Sequence, residues 1–172
     1  MKRSDGKLYN ILLPIWMLIF LPTWLWLFLI PSNYLIDRIV LRWSLGAMPE
    51  KGAFCRKNTW KICLAGFLSD LGGVCILLGV YFCDAMMSDS SPAKDLLEKI
   101  GSGIAFDPFS NIGAFLVTAL SVAAAGALIY FIDRKILIKA GLSAEQARSS
   151  ALKLAVITAP YLYLLLSRLL YE

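Results

Sequence analysis

The chain has 172 residues, 59% hydrophobic and only 17% charged, whereas a soluble domain carries about 25% charged residues; this balance excludes an ordinary soluble protein. The formal charge is +5, but the basic residues flank apolar runs, where they set topology against an anionic leaflet instead of binding nucleic acid. Histidine is absent and the four cysteines (Cys55, Cys63, Cys75 and Cys83) form no C-x-x-C pair, so no metal site and no cofactor is expected.

The first apolar run covers residues 8–36 and is longer than one membrane crossing needs. Pro14, Pro22 and Pro31 divide it. Proline inside a helix removes a backbone donor and kinks it, so the run reads either as one proline-kinked span or as a re-entrant hairpin. The run is too long for a signal peptide and lacks a small-residue cleavage pattern, so a retained anchor is expected. Pro31-Ser32-Asn33 is expected to break or turn the chain near one interface. The second run, residues 60–82, is uniformly apolar except for Asp70. A polar connection, 83–111, contains a candidate short interfacial helix at 92–100, started by Pro92 and ended by Gly101 and Gly103. The third run is 112–132, and the fourth is 151–170 with Pro160 in its middle. The expected fold is therefore an all-α integral membrane protein, a four-helix transmembrane bundle forming a single domain over residues 1–172.

Charge orients these spans. Residues 37–61 carry six basic side chains and residues 133–153 carry five, whereas 83–111 carries two against five acids. Positive loops face the cytoplasm, so 37–59 and 133–150 are expected inside and 83–111 outside. Both basic segments open on the same signature, Tyr34-Leu-Ile-Asp37-Arg38 and Tyr130-Phe-Ile-Asp133-Arg134. Spans one and two then read as repeated by spans three and four in the same orientation, a parallel repeat. Arg38 and Arg134 suit cytoplasmic helix ends, where a cation meets the negative end of the helix dipole. Asp37 and Asp133 do not suit that end and need a basic partner, with Arg42 a candidate.

Asp70 is the sharper signal. It lies near the middle of the second run, and a carboxylate at that depth normally faces the bundle interior or a water-filled cavity. Gly66 and Gly73 share its side of the helix, leaving room for close helix approach or for an ion. Ser121 in the third run and Thr158 in the fourth are candidate partners on an ion or substrate path. Pro160 frees a carbonyl that could accept a bond.

No phosphate-binding loop, nucleophile elbow, zinc-protease or dinucleotide motif is present, so no catalytic residue is assigned. The first reading is a small transporter, channel or permease subunit with Asp70 as its ion or proton site, embedded in the bilayer as a homo-oligomer or in a larger complex. The alternatives are a non-catalytic membrane assembly partner, and a membrane enzyme acting on a lipid headgroup through Asp37 and Asp133 with Arg38 and Arg134 on the phosphate.

Overall fold

The computed structural model describes residue 24 and residues 26–88 and 91–165. These residues form five α-helices: α1 (Trp26–Ser44), α2 (Lys51–Met86), α3 (Pro92–Phe106), α4 (Ile112–Lys139) and α5 (Ala144–Thr158), followed by a 3₁₀ turn at Tyr161–Leu164. The start of the first apolar run, with Pro14, Pro22 and the question of re-entry, lies outside the described residues, as does the end of the fourth run.

Two of these helices, α2 and α4, are long and apolar enough to cross a membrane. The 28 residues of α4 extend for about 42 Å, against a hydrocarbon core of about 30 Å. Their outward faces carry large apolar side chains: Leu68 is 56% exposed and Leu120 60%. A soluble surface seldom leaves so many apolar groups in contact. The chain is thus a helical protein with the surface expected of a membrane-embedded one.

Several helix boundaries differ from the hydropathy reading. Pro31 does not break the chain; α1 runs through it, as membrane and core helices tolerate when neighbours hold them. Stacking of Trp26 on Phe67, with ring centroids 6.3 Å apart, fixes the start of α1 on α2. The charged segment 37–59 is mostly helical, and the α1–α2 connection is only residues 45–50. Gly46 and Glu50 turn it with φ of 55° and 54°, and buried Leu45 pins it inward. Likewise α4 continues to Lys139, so residues 140–143 alone join it to α5. Gly141 supplies φ of 101° there, the left-handed stop that glycine allows. Ser143 then caps α5 by accepting from the Gln146 N–H at 3.2 Å. Helix α3 outruns its expected end, because Gly101 and Gly103 are packed positions within it. The Tyr81 hydroxyl donates to the Gly101 carbonyl at 2.7 Å, and a Cβ on Gly103 would collide with Ala114. Pro160 does end α5, and the chain passes into the 3₁₀ turn.

α1, α2, α4 and α5 pack in a closed ring in which each touches two others, and α3 lies against α2 and α4. The interior contains two apolar clusters. One joins Val40, Leu41, Leu45, Cys55, Ile62, Leu137, Leu142, Ala147, Ala151 and Leu154, at the end where the short connections lie. The other joins Val74, Leu77, Ile104, Ala114, Val122 and Tyr163, at the end covered by α3. The inward residues between the clusters include buried polar side chains, Asp37, Ser69 and Asp133, among small and apolar ones.

Candidate functional site

Between the two clusters, each ring helix contributes polar side chains. From α1 come Asn33 and Asp37, from α2 Cys63, Ser69 and Asp70, from α4 Ser121 and Asp133, and from α5 Thr158. Asp37, Ser69, Ser121 and Asp133 are buried.

Part of this layer is hollow. A cavity of about 170 Å³ is lined by Asn33, Asp37, Cys63, Gly66, Asp70 and Thr158, among others. Gly66 leaves open space where a side chain would project. The Cys63 thiol hydrogen-bonds the Asp37 carboxyl, so the partner that Asp37 finds is this thiol, one helix away, and not Arg42. Asp70 has no such partner: its Oδ1 is buried and lacks a hydrogen bond among the described residues. Asp37 lies within electrostatic reach of both Asp70 and Asp133. Helix end and cavity meet at the α5 break. Tyr163 reaches back from the 3₁₀ turn and donates its hydroxyl to the Asp70 carbonyl oxygen at 2.8 Å. The carbonyl that Pro160 frees, on Val156, is taken by the Tyr161 hydroxyl at 2.6 Å.

The residues proposed for an ion path from the sequence therefore divide. Asp70, Gly66 and Thr158 share the cavity, although the Thr158 hydroxyl is engaged with the Leu154 carbonyl of its own helix at 2.9 Å. Gly73 and Ser121 join α2 to α4 instead. The Ser121 hydroxyl donates to the Gly73 carbonyl at 2.6 Å, and a Cβ on Gly73 would stand 3.0 Å from the Ser121 carbonyl oxygen. Serine and glycine here let two backbones approach, as at other membrane helix contacts.

Asp37 and Asp133 are not charges at helix ends. Each lies about two turns before its helix stops, and each faces the interior. Asp133 is fully buried. Neither of its carboxyl oxygens has a hydrogen-bond partner among the described residues, and the Nε of neighbouring Arg134 is likewise buried and unpartnered. Adjacent helical residues point in different directions, so Arg134 does not neutralise its neighbour. The lipid-enzyme arrangement, with both Asp-Arg pairs converging at one interface, is at odds with this placement. Among the described residues no three His, Cys, Asp or Glu side chains cluster as metal ligands.

The sequence reading missed Cys63 and Tyr163. Cys63 lies one turn before Phe67 and seven residues before Asp70, hence on the Asp70 side of α2, and that spacing was available as a signal. Tyr163 contacts Asp70 only because Pro160 stops α5, and nothing in its local sequence marks the contact. No protein-family model, no curated protein and no solved structure matches this chain.

Proposed function

We propose that the chain is a small polytopic membrane protein that moves protons across the bilayer through the layer containing Asp70. In this reading α1, α2, α4 and α5 all lie within the membrane, with the short 45–50 and 140–143 connections, flanked on the helices by Arg42, Lys51, Lys139 and Arg148, on the cytoplasmic side and α3 outside. The observation that carries it is the cavity between α1, α2 and the broken end of α5, which brings an unpartnered, buried Asp70 oxygen beside a second carboxyl, Asp37. A carboxyl in such a place exchanges a proton with any water that enters, and its neighbour favours one proton shared over two charges. The apolar clusters on either side act as two gates, since a dry cluster at each end stops water from forming a continuous file. The matched Asp37-Arg38 and Asp133-Arg134 pairs on α1 and α4 support reading α1–α2 and α4–α5 as parallel repeats around this layer.

Purified protein in liposomes containing a pH-sensitive dye tests the proposal. An imposed potential is expected to drive proton entry, and Asp70→Asn is expected to lower the rate by about tenfold or more, the upper part of the range for loss of one proton-transfer group. Circular dichroism and gel filtration confirm that the variant folds. Equal flux through wild type and Asp70→Asn, or no flux above empty liposomes, would sink the proposal.

A further inference from the structure

A second cleft lies away from the carboxylate layer, at the basic end of the ring. Its volume is about 500 Å³, and its walls come from the α1–α2 connection, the first turns of α2 and the last turn of α4. Lys57, Lys61 and Lys139 line it together with Asn58 and one carboxylate, Glu50. Met48, Phe54 and Ile136 provide an apolar floor, partly buried against the cluster beneath. Lys57 and Lys61 are one helical turn apart and share a face of α2. Lys139 arrives at the last turn of α4, where the helix dipole adds no positive field and a cation is favoured.

The depth of this cleft points to its occupant. Lys61 precedes Asp70 by nine residues of continuous helix, about 13 Å along the axis. Lys57 is one further turn out. With Asp70 near the middle of a hydrocarbon core about 30 Å thick, both ammonium groups reach the headgroup level. Two tryptophans with 55% and 64% exposure, Trp60 and Trp43, sit at this end, as belt residues do at a membrane interface. Each carries a lysine over its ring: Lys61 at 5.9 Å and Lys153 at 4.9 Å. A cleft with ammonium groups on its walls and an apolar floor fits a molecule that is anionic at one end and apolar at the other.

We propose that this cleft binds the phosphate of an anionic glycerophospholipid from the leaflet on the basic side. The three lysines hold the phosphodiester, and Met48, Phe54 and Ile136 contact the glycerol and first methylenes. This site is independent of the carboxylate layer, and its failure or success leaves the proton reading untouched.

Native mass spectrometry of the full chain in mild detergent, titrated with phosphatidylglycerol or with phosphatidylcholine of the same acyl chains, provides the test. The wild type is expected to retain phosphatidylglycerol with about tenfold preference, the scale set by a few surface ammonium groups. Combined Lys57→Gln, Lys61→Gln and Lys139→Gln substitution is expected to abolish the preference. A variant with the same charge removed outside the cleft (Arg56→Gln, Lys135→Gln and Arg148→Gln) is expected to keep it. If the first variant does not fold, Lys139→Glu, at an exposed helix end, is expected to lower the preference by about threefold or more. An equal preference for both lipids in the wild type, an equal loss in both triple variants, or an unchanged preference in Lys139→Glu overturns the proposal. Displacement of the lipid by millimolar inorganic phosphate would also overturn it, assigning the cleft to a soluble anion.

Discussion

Replacement of Gly73 by alanine probes the close contact between α2 and α4. A Cβ at this position would stand 3.0 Å from the Ser121 carbonyl oxygen, 3.1 Å from the Ala125 Cβ and 3.2 Å from the Ser121 Oγ. The two nearest are a backbone atom and a Cβ, so no rotation of a flexible side chain relieves the contact and α2 and α4 must separate. Inserting one carbon into a packed interior costs about 1–3 kcal/mol. Separation also stretches the 2.6 Å bond from Ser121 to the Gly73 carbonyl, worth about 0.6 kcal/mol between membrane helices. Alanine recovers about 0.8–1.0 kcal/mol of helix propensity relative to glycine. The net expectation is a loss of about 1–3 kcal/mol. Two other glycines of α2 calibrate the result. Nothing lies within 4 Å of a Cβ on Gly79, so Gly79→Ala keeps the propensity gain, up to about 1 kcal/mol. At Gly72 the added atom meets only the Leu128 Cδ1, at 2.6 Å; that methyl can rotate for about 0.5–1.5 kcal/mol, leaving Gly72→Ala near neutral. Reversible unfolding in mixed detergent, read by circular dichroism, should therefore order the variants Gly79→Ala, Gly72→Ala, Gly73→Ala from most to least stable. Equal stability of Gly73→Ala and Gly79→Ala would refute the close approach of α2 and α4.

Asp133→Val is expected to raise unfolding stability by about 1–3 kcal/mol, because it removes a fully buried carboxyl whose oxygens lack partners among the described residues. The same thermal or denaturant scan checks this, and a lower midpoint would refute it. Topology can be read by labelling intact cells with a membrane-impermeant maleimide. Exposed Cys83 is expected to react from outside, whereas a cysteine placed at exposed Lys139 in a variant with the native cysteines replaced is expected to react only after permeabilisation. Labelling of both from the same side would contradict the proposed orientation.

Hydropathy made the two long apolar helices legible, since runs 60–82 and 112–132 fall within α2 and α4. It did not reveal where those helices end. A hydropathy run measures how far a segment stays out of water, not how far its hydrogen bonding continues. Residues 37–44, 51–59 and 133–139 are charged enough to read as loops, yet they are helical, because helices go on past the hydrocarbon and pack on one another beyond it. The Gly73–Ser121 contact spans 48 residues of sequence, and a lone glycine and a lone serine carry no local sign that they will meet. Asp70 was legible because a carboxylate inside a long apolar run has no neighbour that accounts for it.

The two Asp-Arg pairs sharpen the distinction between depth and direction. Read by depth, Asp37 and Asp133 close their apolar runs and belong to the interface. Read by direction, Asp37 precedes Val40 and Leu41 by three and four residues, and Asp133 stands four residues from both Ile129 and Leu137. All four apolar residues are buried, and positions three or four apart share a helix face. The periodicity that places those residues in the interior places the two aspartates there as well, and it was present in the sequence. Burial of an unpaired carboxyl opposes folding, and Asp133, whose oxygens lack hydrogen-bond partners among the described residues, carries that cost. The interior acids are drawn from three helices, with Asp37 within electrostatic reach of the other two. On the proton-transport proposal, Asp37 and Asp70, which line one cavity, make α1 as much a part of the path as α2.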